Sequence, residues 1–556
     1  MTALRERVCG IGDLPFAAAQ EYADRPALRG RRDGAWVDES FADLAARVRE
    51  VARGFVAAGV APGDRVCVLA ETSPEWTYAG LAVLAAGGVL VPIYPSSSAQ
   101  ECAWVIGNSG ARLVVCADAG QLAKVERVRD RLPDLAGTVL IADGGLSRLA
   151  ATASSDVDGE LVRRRAAVSP DDPAQIIYTS GTTGPPKGCV LTHRNWLTLC
   201  EINERTAYVR RGDVVYLFLP LAHVFAQITQ FACLDAGATL AYFGGDLRRV
   251  VPELAEVAPT FLPSVPRIFE KLYTALGAGG AGDPAALSAA VRGIFGGRLR
   301  MALSGAAPIS PAVLEFFAAA GVPVLEGYGM TETTGVGTVN LLDHHRLGTV
   351  GVAAPGTRIR IADDGEVLMS GPHVFAGYWR DPDATAEVLV DGWVHTGDLG
   401  ALDADGFLTI TGRKKDVIIT AGGKNIAPAN LENDLRQSRW ISHAIVYGDR
   451  RPYPVALLTL DLEEIVPWAR ERGMAPDPAA LAGSAEVRRL LQAVVDDANA
   501  RYARAAQVKR FAVLDRDLTQ DHGELTPTLK VKRAAVHANH AAVIARLYEG
   551  DPDGRP

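Results

Sequence analysis

No two of the seven cysteines (Cys9, Cys67, Cys102, Cys116, Cys189, Cys200 and Cys233) form a C-x-x-C pair, and all lie in the first half of the chain. An odd, scattered set without metal spacing excludes a disulfide framework and a cysteine zinc site. It reads as reduced thiols in a cytosolic protein. The sequence also lacks a basic excess: lysine plus arginine number 57 against 65 acids, a net charge of −8, so no bulk field favours nucleic acid. The opening, MTALRERVCGIGDLP, lacks the apolar block of a secretion signal. The stretch from Trp76 to Gln100 carries no charge, but Gly87-Gly88 splits it and Pro92 and Pro95 follow. It reads as a buried helix followed by a strand, not a membrane span. The expected location is cytoplasmic.

What is present is globular: 556 residues, 48% hydrophobic and 22% charged, enough for several domains. Short β-branched runs recur at 64–70, 89–95, 111–117, 138–143, 214–220, 238–243 and 299–305. Helical patterns such as 41–59 lie between several of them. This alternation predicts an α/β fold with a parallel sheet covered by helices. From about 357, "RIRIADDGEVLMSG" predicts close antiparallel strands around an acidic Gly turn. After "TGRKKD" the chain becomes charged and compact again, which places a boundary near 412–416. Segment 275–290 is low-complexity and reads as a surface excursion, and the last residues read as a solvated tail.

Residues 178–188, "YTSGTTGPPKG", follow the apolar run "AQII". A turn of small, hydroxylated residues ending in one lysine can aim backbone N–H groups, hydroxyls and an ammonium at one polyphosphate. It is not the common P-loop G-x-x-x-x-G-K-[ST], because Gly188 follows Lys187 and two prolines precede it. Further on, "LSGAAP" (303–308) and "EGYGMTET" (326–333) each follow a strand and place glycine where backbone can approach a flat ligand. Glu332 is an oxygen ligand suited to Mg²⁺. "VHTGDLG" (394–400) sets Asp398 in a loop able to accept ribose hydroxyl protons; "TGRKKD" (411–416) supplies Arg413, and "LTPTLKVKR" (525–533) supplies Lys530.

In this order the set resembles the adenylate-forming (AMP-binding) superfamily of acyl-CoA synthetases, luciferases and peptide-synthetase adenylation domains, over about 15–540. "FLPLAHVF" (218–225) and "PTFLPSVPRIFEKLY" (259–273) look most like long-chain fatty acid–CoA ligases. The resemblance implies a large N-terminal domain of layered sheets and helices, residues 1–413, with a small antiparallel β unit at about 345–413. A small mobile α+β C-terminal domain, 414–556, follows. It implies ATP, Mg²⁺ and coenzyme A as cofactors and a carboxylic acid, a fatty acid above all, as substrate. Thr179, Ser180, Gly181, Thr182, Thr183, Gly184 and Lys187 would hold the β- and γ-phosphates, Thr331 an α-phosphate oxygen, and Glu332 the metal. Gly305, Ala306, Ala307, Pro308, Glu326, Gly327, Tyr328 and Gly329 would line the adenine, with Tyr328 stacked on it. Asp398 and Arg413 would hold the ribose. His223 is implied as a gate beside the acyl carboxylate, Lys415 as the hinge, and Gly422 and Gly423 as a wall of the coenzyme A tunnel. Lys530 would bridge the carboxylate and the α-phosphate; Lys532 is its nearest rival. The lysine turn departs from the family in reading Pro-Thr-Leu-Lys where Pro-Thr-Gly-Lys is commoner. Two other readings share these residues: transfer of a fatty, aryl or other acid to a carrier protein, and a degenerate homologue that only binds nucleotide or acyl chains.

Overall fold

The computed structural model describes residues 4, 7–179, 185–277, 284–527 and 529–549. The fold is α/β: a large N-terminal part of layered sheets and helices carries an antiparallel β unit, and a smaller C-terminal part follows. One sheet has seven strands in the order Gly377–Tyr378, Lys187–Thr192, Pro173–Thr179, Val89–Ile93, Arg65–Leu69, Leu113–Cys116, Gly137–Leu140. Its last five strands pair in parallel, while the first two join antiparallel. A second sheet has nine strands, whose centre (Met301–Ser304, Phe261–Ser264, Val214–Leu217, Thr239–Tyr242) is parallel.

Helices cover these sheets because their apolar residues recur at helical spacing and their ends are capped. In Phe41–Ala57 the residues Phe41, Leu44, Val48, Val51 and Phe55 are all fully buried, and Ser40 with Asp43 closes a capping box. The uncharged stretch after Trp76 resolves as expected. Pro74–Ala85 is a helix buried on all sides, Gly87 turns the chain at φ +80°, and Val89–Ile93 enters the middle of the seven-stranded sheet. Among the described residues no helix is long and apolar enough to cross a membrane. No disulfide joins any of the seven cysteines, and six of them are buried.

An antiparallel sheet of Arg358–Ile361, Glu366–Ser370, Trp393–Leu402, Leu408–Arg413 and Leu389–Val390 follows. Beyond Arg413 the chain builds a separate core around the strands Ile441–Tyr447, Val455–Leu460 and Arg510–Val513. The large N-terminal core holds none of its residues. The segment read as a surface excursion at 275–290 lies partly outside the described residues. From Pro284 it forms the helix Pro284–Ile294, in which 285–290 are exposed or half-buried and Val291, just beyond, is fully buried. The tail beyond 549 lies outside the described residues.

Candidate active site

The glycine-and-hydroxyl loop springs from an antiparallel pair. Thr179 faces Lys187 in register, Tyr178 faces Gly188 and Ile177 faces Cys189, so the loop is closed at its neck by backbone bonding. Ser180, Gly181, Thr182, Thr183 and Gly184 lie outside the described residues. Lys187 sits at the neck with its ammonium 5.2 Å from the centroid of the Tyr378 ring. The indole of Trp104 donates to the Pro186 carbonyl at 2.8 Å.

The short strand Gly377–Tyr378 pairs with Cys189 and Val190 on the far side of that hairpin. That pairing brings the Tyr378 hydroxyl to Glu332, where it donates to Oε1 at 2.6 Å. Glu332 is 7% exposed and lies in the single turn Thr331–Thr333 that follows the strand Val324–Tyr328. Phe375 N–H holds the Glu332 carbonyl at 2.9 Å. The buried thiol of Cys189 is pushed well above its ordinary range, first by burial and then by the Glu332 carboxylate beside it. Glu332 suits Mg²⁺: it is a nearly buried carboxylate with one oxygen fixed by a neutral hydroxyl. Among the described residues no cluster of three His, Cys, Asp or Glu side chains stands ready for a metal. A cation here would take its remaining ligands from phosphate oxygens and water, the usual manner of Mg²⁺.

The strands Met301–Ser304 and Val324–Tyr328 run side by side, with Ser304 opposite Glu326, and the second runs two residues further. Past Ser304, Gly305 lies against the ring of Phe225, where an added Cβ would come within 3.3 Å. Ala306 is left-handed at φ +68°, and Ala307 and Pro308 continue that turn. Gly327 completes the strand. Gly329 is required by packing, because a Cβ there would stand 2.4 Å from the backbone of Gly335. Two polar atoms near these strand ends have no hydrogen-bond partner among the described residues: Ser304 Oγ and Glu326 Oε2. Burial raises the Glu326 carboxyl to about 7, against one opposing backbone N–H from Gly348. Unpartnered buried polar atoms call for a ligand with donors of its own, such as the exocyclic amine of a purine.

Asp398 is 6% exposed in the long strand Trp393–Leu402 and pairs in register with Arg413. Its Oδ1 accepts from Arg413 Nε at 2.9 Å and its Oδ2 from the Tyr328 hydroxyl at 2.5 Å. Tyr328 is thus tied by its hydroxyl to the carboxylate, a contact the sequence did not reveal.

His223 caps the helix Val224–Ala236, its Nδ1 accepting from Phe225 N–H at 3.1 Å. That bond leaves the ring proton on Nε2. Burial first, then the Lys530 charge, lower its pKa to about 3, so the ring is neutral at physiological pH.

Lys530 comes from the other end of the chain. It rides on a tight turn closed by a bridge between Leu525 and Val531. Lys530 N–H donates to Thr526 Oγ1 at 3.0 Å, and Thr526 N–H to the Lys530 carbonyl at 2.8 Å. Leu529, where the family more often has glycine, is left-handed at φ +59° and 64% exposed. An L-residue pays roughly 1 kcal/mol or more for that conformation. Ser96 Oγ donates to the Pro527 carbonyl at 3.2 Å, pinning the turn to the N-terminal part. The lysine keeps contact with solvent. Even so, desolvation and the Arg413 guanidinium lower its pKa, while Asp398 and Glu332 push it back up. Its ammonium therefore lies within electrostatic reach of the clamp, the metal-type carboxylate and His223 together. Lys532 instead opens the helix Arg533–Asn539, its N–H bonded to the Glu524 carbonyl at 2.7 Å.

Lys415 is exposed in the turn between Arg413 and Ile418. Gly422 and Gly423 lie at the exposed tip of the hairpin Ile418–Ile419/Asn425–Ile426, where Gly423 N–H bonds the Thr420 carbonyl at 2.8 Å. The structure does not bring these glycines to the cleft. Tyr378 is the cleft residue that sequence reasoning missed. It belongs to no glycine-rich motif, and only its strand pairing reveals it.

Two family descriptions match the chain: AMP-binding enzyme over residues 16–379, and AMP-binding enzyme C-terminal domain over residues 415–552. The chain belongs to the AMP-binding enzyme family. It is 40% identical to the long-chain-fatty-acid–CoA ligase FadD15 of Mycobacterium bovis and 39% identical to that of Mycobacterium tuberculosis, each covering 97% of both chains. Among solved structures it is similar to a fatty acyl CoA synthetase of Mycobacterium tuberculosis (25% identity, TM-score 0.67, 96% of this chain and 99% of that one). ATP-bound MatB from Rhodopseudomonas palustris is also similar (26% identity, TM-score 0.76, again 96% and 99%).

Proposed function

We propose that the protein activates a long-chain fatty acid with ATP to an acyl-adenylate and transfers the acyl group to coenzyme A, releasing pyrophosphate and then AMP. The single observation carrying this reading is the convergence on one cleft of Glu332, Asp398 with Arg413, and the distant Lys530. The relatives' names point to the same acid and the same acceptor.

In the first half a carboxylate oxygen attacks the α-phosphorus and pyrophosphate leaves. Negative charge gathers between carboxylate and α-phosphate, where the Lys530 ammonium is free to bridge them. Asp398 and Arg413 hold the ribose, and the orphan oxygens of Glu326 and Ser304 meet the purine edge. Gly305, Ala306, Ala307, Pro308, Gly327, Tyr328 and Gly329 wall it. Thr331 faces the α-phosphate, and Thr179, Lys187 and the loop 180–184 take the outer phosphates. Glu332 would hold Mg²⁺, which would supply charge neutralisation for the phosphates. His223, neutral and with its proton on Nε2, offers a donor beside the acyl carboxylate.

In the second half the thiol attacks the acyl carbonyl and AMP departs. A lysine occupying the cleft obstructs that approach, so the reading includes a division at 413/414. An N-terminal domain, 1–413, with its β unit at about 345–413, holds the nucleotide. A C-terminal domain, 414–556, swings at Lys415 and offers the Gly422–Gly423 tip to the pantetheine arm. A cytoplasmic setting belongs to the same reading.

The test is incubation with fatty acids of graded length, ATP and Mg²⁺, offering free coenzyme A or a phosphopantetheinylated carrier. Acyl-CoA forming with long chains supports the proposal. Thioester appearing on the carrier alone, or pyrophosphate released with no acid, overturns it.

A further inference from the structure

The helix Pro266–Gly277 lies in the stretch that gave the sequence its long-chain character, yet none of its residues enters the cleft chemistry. Phe269 and Leu272 bury one side of it in the N-terminal core. Arg267, Glu270 and Lys271 stand at i, i+3 and i+4, and so share one face. That face meets the C-terminal part of the chain. Arg267 reaches Asp461 at 3.4 Å, and Lys271 reaches Glu463 at 2.9 Å.

Between them Glu270 is half-buried, and that desolvation raises its carboxyl pKa, while Arg436 followed by Arg267 pulls it back down. Arg436 closes the helix Pro428–Arg436, and its Nε is buried without a hydrogen-bond partner among the described residues. The pattern is positive, negative, positive on one side and negative, positive, negative on the other. The carboxylates opposite sit at one helix start: Asp461 caps the helix Leu462–Glu471 by accepting from Glu463 N–H at 3.1 Å, and the exposed Glu463 side chain leaves from its first turn. An alternating pattern has one good register. A shift of one position sets like charges together, which is how electrostatics selects a pose more than it tightens one.

The pose so selected is the one in which Ser96 touches Pro527 and Lys530 faces the cleft. We propose that Arg267, Glu270 and Lys271 form a charge-coded dock for the protein's own C-terminal domain, which favours the lysine-presenting arrangement and sets the ratio of the two half-reactions. The inference rests on the two-step function proposed above. Exposed ion pairs contribute little singly, so the dock is strong enough to bias the pose and weak enough to release it.

The test is the double variant Arg267→Glu/Lys271→Glu in the full chain. Single-turnover pyrophosphate release is expected to fall roughly 3- to 10-fold, while acyl-CoA formation from supplied acyl-adenylate holds or quickens. Reversing the partner in Lys271→Glu/Glu463→Lys should recover adenylation relative to Lys271→Glu alone, and raising salt to about 0.5 M should mimic the loss in wild type. Tryptic cleavage at the exposed Lys415, measured without substrates, should quicken in the double variant. Equal loss in both halves by a variant with wild-type Tm, or no recovery on charge reversal, overturns the dock. Should the wild type make no acyl-CoA at all, the proposed function fails; unchanged cleavage at Lys415 separately sinks the dock.

Discussion

Replacing Glu524 by glutamine should slow adenylation through a residue that never touches substrate. Its carboxylate is fully buried at the base of the lysine turn. It receives Arg516 through two bonds of 2.7 and 2.8 Å, His540 Nε2 at 3.0 Å and Asn539 Nδ2 at 3.2 Å. Its own carbonyl holds Lys532 N–H at 2.7 Å, the last tie before the Leu525–Val531 bridge. Although burial opposes it, these partners, Arg516 foremost, hold the carboxyl down at about 2. A depression of that size from the usual 4.5 corresponds to roughly 3 kcal/mol of preference for the ionised form in the folded protein. Because the folded value is the lower one, this stability is present above about pH 4.5 and disappears as pH falls toward 2. Glutamine keeps the shape but not the charge, and part of the energy returns when the half-exposed Arg516 finds water. A loss of 1–2 kcal/mol at the turn is expected, enough to misplace Lys530 and cut pyrophosphate release about tenfold. Thioester formation from supplied acyl-adenylate should be untouched. Amide exchange across 524–532 should speed up at pH 7, and the wild-type advantage should vanish near pH 2. A variant with full protection and full adenylation would refute the claim that this buried charge positions the lysine.

Lys530→Ala should lower single-turnover pyrophosphate release by about 10²–10³ and spare the second half, measured with synthetic acyl-adenylate. Asp398→Asn leaves Arg413 without its anionic partner and weakens the ribose clamp; ATP affinity by calorimetry should drop about tenfold or more. Glu326, raised to about 7, behaves in the opposite sense to Glu524. Its contribution is whole below about pH 4.5 and lost as pH rises through 7, so Glu326→Gln should stabilise the protein above pH 8 by up to roughly 3 kcal/mol in thermal melts. The same substitution should remove a step near pH 7 in adenosine binding.

Much of this was legible from residues alone. The runs at 64–70 and 238–243 are the strands Arg65–Leu69 and Thr239–Tyr242, because β-branched segments between helices have few other uses. The motif glycines, Lys187, Glu332, Asp398, Arg413 and Lys530 could be nominated because their order along the chain resembles that of the AMP-binding enzymes, each being weak alone. Tyr378 and Glu524 could not. Each matters through a partner far away in sequence, Glu332 in one case and Arg516 with His540 in the other, and no local pattern encodes such a meeting. The helix at Pro284 was hidden for another reason: alanine-rich segments carry too little hydrophobic contrast to show a face.

Arg413 is the last residue of its strand, and Lys414 N–H is still bonded to the Gly397 carbonyl at 2.9 Å. The clamp on Asp398 therefore ends one residue before the chain is free to turn. Should the C-terminal part swing as proposed, that grip would stay with the N-terminal side. A reactive mixed anhydride would then be kept while the lysine departs, which would limit wasteful hydrolysis.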